Sequence, residues 1–108
     1  ITFLPPGFRP VDVTPVGLTL SADGTKMYVT LGRANHLAFV DVATKEVESY
    51  TLVGARPWNV CRSADERHLY VTNGLSDEIS VIEVSSRRNV LSIPVGRVPY
   101  AVLVDGSV

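Results

Sequence analysis

Cysteine is nearly absent. The chain's one copy, Cys61, excludes an internal disulfide and offers no Cys/His spacing for a metal or a catalytic nucleophile. It stands between Val60 and Arg62 in a strand-like run and reads as a half-buried thiol. An excess of charge of either sign is also missing: 10 Lys and Arg face 11 Asp and Glu, and the basic residues form no run. That excludes the concentrated basic footprint of a nucleic-acid surface. No apolar run approaches the roughly 18 residues of a membrane-spanning helix. No targeting segment is visible, and because the first residue is Ile1 rather than Met this says little about destination. No window carries a helical stripe. The length, 108 residues, is that of one ordinary domain.

What is present is a repeat. Proline recurs at positions 15, 57 and 99, a spacing of 42 residues. Laying 15–56 over 57–98 without a gap matches Pro15/Pro57, Ser21/Ser63, Asp23/Asp65, Tyr28/Tyr70, Val29/Val71, Thr30/Thr72, Gly32/Gly74, Val42/Val84 and Gly54/Gly96. Leu37/Ile79, Val40/Ile82, Asp41/Glu83 and Lys45/Arg87 are near matches. Each unit holds four short β-patterned runs, in the second unit "WNVCR", "RHLYVTN", "EISVIEV" and "NVLSIPV". Between them Gly, Asn, Asp and Ser supply turn chemistry. Four strands in about 40–45 residues, repeated, predict an all-β fold of four-stranded antiparallel β-propeller blades. A β-sandwich also strings short strands at even spacing, but it does not explain why the same turn and the same Tyr recur at a fixed interval.

The boundaries follow. Residues 15–56 and 57–98 are two complete blades. Residues 1–14 supply the outer strand of a preceding blade (Ile1–Gly7) and a linker, and residues 99–108 supply the inner strand of a following one. Two blades do not close a ring, since propellers usually have about 4–8. The chain is therefore expected to belong to a larger propeller of about seven blades, or to associate with other chains that complete one.

At "YVTN" (Tyr70–Asn73), "SADG" (Ser21–Gly24) and "IPVGRVPY" (Ile93–Tyr100) the chain resembles the YVTN-repeat β-propellers. The stretches "PVGLTLSADGTKMYVTLGRANHLAFVD", "EVESYTLVGARPW" and "VGRVPYAVLVD" resemble one branch more closely. These are the propellers associated with pyrroloquinoline-quinone (PQQ)-dependent alcohol catabolism. The likeness covers nearly the whole chain and fits the C-terminal part of a longer member. It implies a secreted, periplasmic protein without assigned catalysis, working alongside quinoprotein dehydrogenases, and it does not imply that the quinone is bound. In such proteins the last inner strand, here Tyr100–Asp105, pairs with N-terminal strands to close the ring. The sequence departs from the family pattern at Leu31 (usually Asn), at Glu66 (usually Gly), and at Ala22 and Ala64 (often Pro).

Chemistry is sparse. Asp41 and Glu83 tempt a paired-carboxylate reading, but repetition makes them strand-end acceptors. Asp23 and Asp65 read as turn-capping residues. Tyr28 and Tyr70, with Thr30 and Thr72, read as blade core. No nucleophile–base pair or phosphate loop is present, so the chain is expected not to be an enzyme and to need neither cofactor nor metal. The residues that could bind gather on one rim, where the turn between strands two and three meets the connection between blades. That rim is expected to bring Arg9, Arg33, Arg56 and Arg97 together with Trp58, Tyr100, Asn35, His36 and Asn73. His68 falls on the opposite rim.

Arginine forks and aromatic edges suit anions, carbohydrates and protein hot spots. The leading expectation is a protein-binding scaffold whose partner is a periplasmic quinoprotein dehydrogenase or its cytochrome. Alternatives are a small-anion or cofactor site at the channel mouth and a structural role of the surface-layer kind.

Overall fold

The computed structural model describes residues 3–5, 7–9 and 13–94. Among them the chain forms no helix and eight strands: β1 (Pro15–Leu20), β2 (Lys26–Leu31), β3 (His36–Asp41), β4 (Glu46–Leu52), β5 (Pro57–Arg62), β6 (His68–Asn73), β7 (Glu78–Glu83) and β8 (Arg88–Pro94). They assemble as two four-stranded antiparallel sheets, in the orders β1-β2-β3-β4 and β5-β6-β7-β8. Chain order equals spatial order, so each sheet is a meander, and the repeat units are the sheets. The fold class is the expected one: all-β, two propeller blades.

The turns explain why the period holds. Three turns in each blade close on a left-handed residue at equivalent positions: Gly24 (φ 73°) and Glu66 (φ 59°), Asn35 (φ 55°) and Asp77 (φ 50°), Lys45 (φ 60°) and Arg87 (φ 57°). A hairpin loop that ends this way preserves the twist of its flanking strands. Glu66 holds a conformation that costs a non-glycine residue about 1 kcal/mol. Its side chain offsets that cost, because Oε1 accepts the Ala22 amide of the preceding blade at 2.7 Å.

Strand alternation gives each sheet two apolar faces. Tyr28, Leu37 and Phe39 of the first blade meet Val60, Leu69, Val71 and Ile82 of the second. Tyr28 is buried, its ring edge-on to Phe39 at 5.5 Å, and burial pushes its phenol pKa up. At the outer edge Arg87 reaches back from the second blade. Its guanidinium lies 4.9 Å over the Phe39 ring and donates to Ser49 Oγ and Glu48 Oε1, both at 2.9 Å. Lys26 holds the other Glu48 oxygen at 2.8 Å and Asp41 at 3.1 Å. Along the inner edge β1 and β5 nearly touch: a Cβ on Gly17 would stand 2.9 Å from the Trp58 carbonyl oxygen. The blades thus pack from channel to periphery.

The far face of the first blade carries Val29, Leu31, Ala38 and Val40, with Phe3, Phe8 and Val13 packed against it. The Leu4 amide donates to the Tyr50 hydroxyl there at 2.7 Å. Leu31 is fully buried in that layer. Phe3 and Phe8 cover this face, and the outer strand expected over Ile1–Gly7 falls partly outside the described residues. The second blade's free face presents Tyr70, Ile79, Val81, Leu91 and Ile93, with Leu91 and Ile93 exposed.

Candidate functional site

The site starts from a bulge written twice. The β1–β2 register shifts between Pro15 and Gly17, and the β5–β6 register shifts between Pro57 and Asn59. Proline cannot donate to a ladder, so a strand that opens on it is prone to irregular pairing. At the bulges Val16 and Trp58 fall between the registered pairs of their ladders. The threonine of the Tyr-Val-Thr frame repairs the ladder. Thr30 Oγ1 accepts the Gly17 amide at 2.8 Å, and Thr72 Oγ1 accepts the Asn59 amide at 3.1 Å. Thr30 and Thr72 are therefore buried structural groups.

Above the bulges lies a cleft of about 710 Å³ at the rim. Its walls are five pairs of positions, each pair 42 residues apart: Thr14/Arg56, Pro15/Pro57, Val16/Trp58, Gly32/Gly74 and Arg33/Leu75. The Pro and Gly pairs are identical, and they shape the cleft. At Gly32 a Cβ would meet Val16 Cγ2 at 2.7 Å, so a larger residue would close the wall. The other three pairs differ between copies and set the cleft's chemistry. Trp58 is 50% exposed and Leu75 69%. Among the described residues no Asp or Glu lines the cleft, and the Arg33 and Arg56 side chains make no ion pair or hydrogen bond. Two guanidinium groups and an indole thus face one apolar-walled space with no counter-charge among the described residues.

The connection between the blades fixes Arg56. Its amide donates to Asn35 Oδ1 at 2.9 Å, and its carbonyl accepts the Gly74 amide at 2.9 Å. Ala55 is held on both sides, its amide by Ser76 Oγ and its carbonyl by the Leu75 amide, each at 3.1 Å. Arg56 itself is left-handed, φ 57°.

Of the residues expected at the rim, the structure brings Arg33, Arg56 and Trp58 to the cleft. Asn35 belongs to the scaffold instead, since its oxygen caps Arg56. The His36 ring turns to the other side of the blade, between Phe8 (5.6 Å) and Tyr50 (6.4 Å), and Nδ1 meets the Ala34 carbonyl. Asn73 is fully buried, its Nδ2 donating to Ser80 Oγ at 2.8 Å. Arg9 is exposed but does not line the cleft. Arg97 and Tyr100 lie outside the described residues. Sequence reasoning missed Val16 and Leu75 as lining residues, although the repeat pairs them with Trp58 and Arg33.

Elsewhere Asp23, Asp65, Asp41 and Glu48 are committed to structure. Asp23 Oδ1 accepts the Thr25 amide at 3.0 Å, the Ser21 hydroxyl at 2.7 Å and the Thr25 hydroxyl at 2.8 Å. These bonds, the amide foremost, hold its pKa down to about 2. The Ser63 hydroxyl and the Arg67 amide lower Asp65 in the same way. The Thr44 amide and then Lys26 lower Asp41, and Lys26 and Arg87 lower Glu48. A second cavity of about 460 Å³ on the opposite rim is lined by Glu66, Arg67, His68 and Glu83. Among the described residues no cluster of His, Cys, Asp and Glu is placed to hold a metal ion.

Fold and cleft together define a segment of a β-propeller, and comparison with known proteins gives the same class. No family model matches the chain, and no curated protein sequence matches it. Solved structures do. Hydrazine synthase of Kuenenia stuttgartiensis shares 29% identity over 80% of this chain and 24% of its own, with a TM-score of 0.77. A functionally unknown protein of Desulfotomaculum acetoxidans shares 18% over 92% of this chain and 33% of its own, also with a TM-score of 0.77. AztD of Citrobacter koseri shares 21% over 79% of this chain and 24% of its own, with a TM-score of 0.69. The chain thus spans between a quarter and a third of the solved proteins it is similar to.

Proposed function

We propose that the chain is part of a non-catalytic periplasmic β-propeller whose rim docks a protein partner, a quinoprotein dehydrogenase or its cytochrome in PQQ-dependent alcohol oxidation. One observation carries the docking: the cleft sets two unpaired arginines beside an exposed tryptophan and an exposed leucine. Arginine and tryptophan are the residue types that dominate binding hot spots when a partner desolvates them. The non-catalytic reading rests on the carboxylates, whose hydrogen bonds serve turns and blade contacts rather than the cleft. The periplasmic setting and the partner rest on the YVTN-type likeness of the sequence.

The test uses the complete propeller and a purified PQQ-dependent alcohol dehydrogenase or its cytochrome. Trp58→Ala, and Arg33→Ala combined with Arg56→Asn, are expected to weaken binding by tenfold or more, about 1.4 kcal/mol or above. Asn is chosen at position 56 because it tolerates the left-handed backbone there. Unchanged affinity in both variants would remove the rim from the docking surface.

A further inference from the structure

The cleft's chemistry narrows what the partner must present, and this inference rests on the docking reading above. Its walls divide into two kinds of surface. Arg33 and Arg56 supply two guanidinium groups that, among the described residues, no carboxylate in the cleft neutralises, and Val16, Trp58 and Leu75 supply exposed apolar area. An occupant that is only apolar would strand the guanidinium groups in a drier space without a counter-charge, which is costly. An occupant that is only anionic would leave the indole and the leucine wet. The complement is a carboxylate beside a large apolar group, the first taking the Arg forks and the second the indole face.

The surrounding strands favour a length of polypeptide over a free small molecule. β1 and β5 are edge strands, each paired on one side only, and the cleft opens where both begin. Edge strands offer main-chain donors and acceptors to an extended segment laid along them.

We propose that the cleft captures a short extended segment of the partner in which an acidic residue adjoins a large apolar one. The carboxylate sits between Arg33 and Arg56, and the apolar side chain covers Trp58.

The experiment measures binding of capped hexapeptides to the complete propeller by titration calorimetry. One peptide has Asp-Leu at its centre, a second Asn-Leu and a third Asp-Ala, and free 3-phenylpropionate is the small-molecule arm. The Asp-Leu peptide is expected to bind at least tenfold more tightly than either peptide variant. It is also expected to lose that advantage over Asn-Leu in Arg33→Ala/Arg56→Asn, a variant whose melting temperature should match that of the parent. Equal binding of the Asp and Asn peptides, or no peptide binding at all, overturns the inference. Phenylpropionate binding as tightly as the Asp-Leu peptide overturns the polypeptide assignment and makes the cleft a small-carboxylate site. If the peptides fail while the arginine variant still loses the dehydrogenase or cytochrome, docking stands and only this inference falls. If the partner is indifferent as well, both fall.

Discussion

At the scale of single residues, the repeated Tyr-Val-Thr frame divides its labour. Tyr28 fills the space between blades, and Thr30 and Thr72 repair the bulges that make the cleft. A valine at position 72 would match threonine in shape but leave the half-buried Asn59 amide without its acceptor. Thr72→Val is therefore expected to destabilise the protein by about 1–3 kcal/mol, and Thr72→Ser to recover most of the loss, as measured by denaturant unfolding. Asp23 offers a test by pH. Its carboxyl pKa is lowered from 3.8 to about 2, so folding favours the ionised form. Its contribution is complete above the unfolded value and disappears as pH falls through the folded one. The drop in melting temperature caused by Asp23→Ala is thus expected to be largest above pH 5 and to shrink towards zero near pH 2. A drop that is constant across that range would show that the turn owes nothing to the carboxylate's charge.

At the scale of elements, the connection from β4 to β5 organises the rim. Gly54 lies where a Cβ would press on Glu78 Oε1, on Ser76 Oγ at 2.6 Å and on Asn73 Cγ at 2.8 Å. Glu78 and Ser76 end in movable atoms, but Asn73 is buried and held by Ser80, so it cannot give way. Gly54→Ala is expected to cost about 1–3 kcal/mol by overpacking. Because the connection carries Arg56, the same change should weaken partner binding beyond its effect on stability. Calorimetric melting and binding, measured on the same variant, would separate the two. Much of this was legible in the sequence. The 42-residue period located both blades, because turns that need a left-handed residue must recur wherever the same hairpin recurs. The rim was legible only in part. Placing Arg33 and Arg56 together needed no more than the topology. Excluding His36 and Asn73 needed the facing direction of each strand end, which two copies with different residues there could not supply. The bulges were hidden for the same reason, since a register shift shows only once β1 and β5 are laid against their partners.

At the scale of the whole molecule, the two blades differ in what covers them. The first blade's Tyr28, Leu37 and Phe39 are buried by the second. The equivalent positions of the second blade are Tyr70, Ile79 and Val81, and beside them Leu91 is 56% exposed and Ile93 39%. By the repeat, the natural cover for this face is another blade bringing apolar residues at the positions of Val60, Leu69, Val71 and Ile82. The first blade's own copies of those positions are Leu18, Met27, Val29 and Val40, of which Leu18 is exposed and Val29 and Val40 are buried. By the repeat, consecutive blades are expected to join by one recurring interface, and a ring is that interface used until it closes. A two-blade piece carries one complete joint and a surplus half-joint. The 108-residue chain on its own is accordingly expected to self-associate in sedimentation velocity, with a broad, concentration-dependent melt. Leu91→Asp should shift that population towards monomer, whereas in the complete propeller the same substitution should lower stability. A cooperative melt from a monomeric 108-residue chain would mean that the free face needs no neighbour, and the recurring joint would lose its role as the unit of assembly.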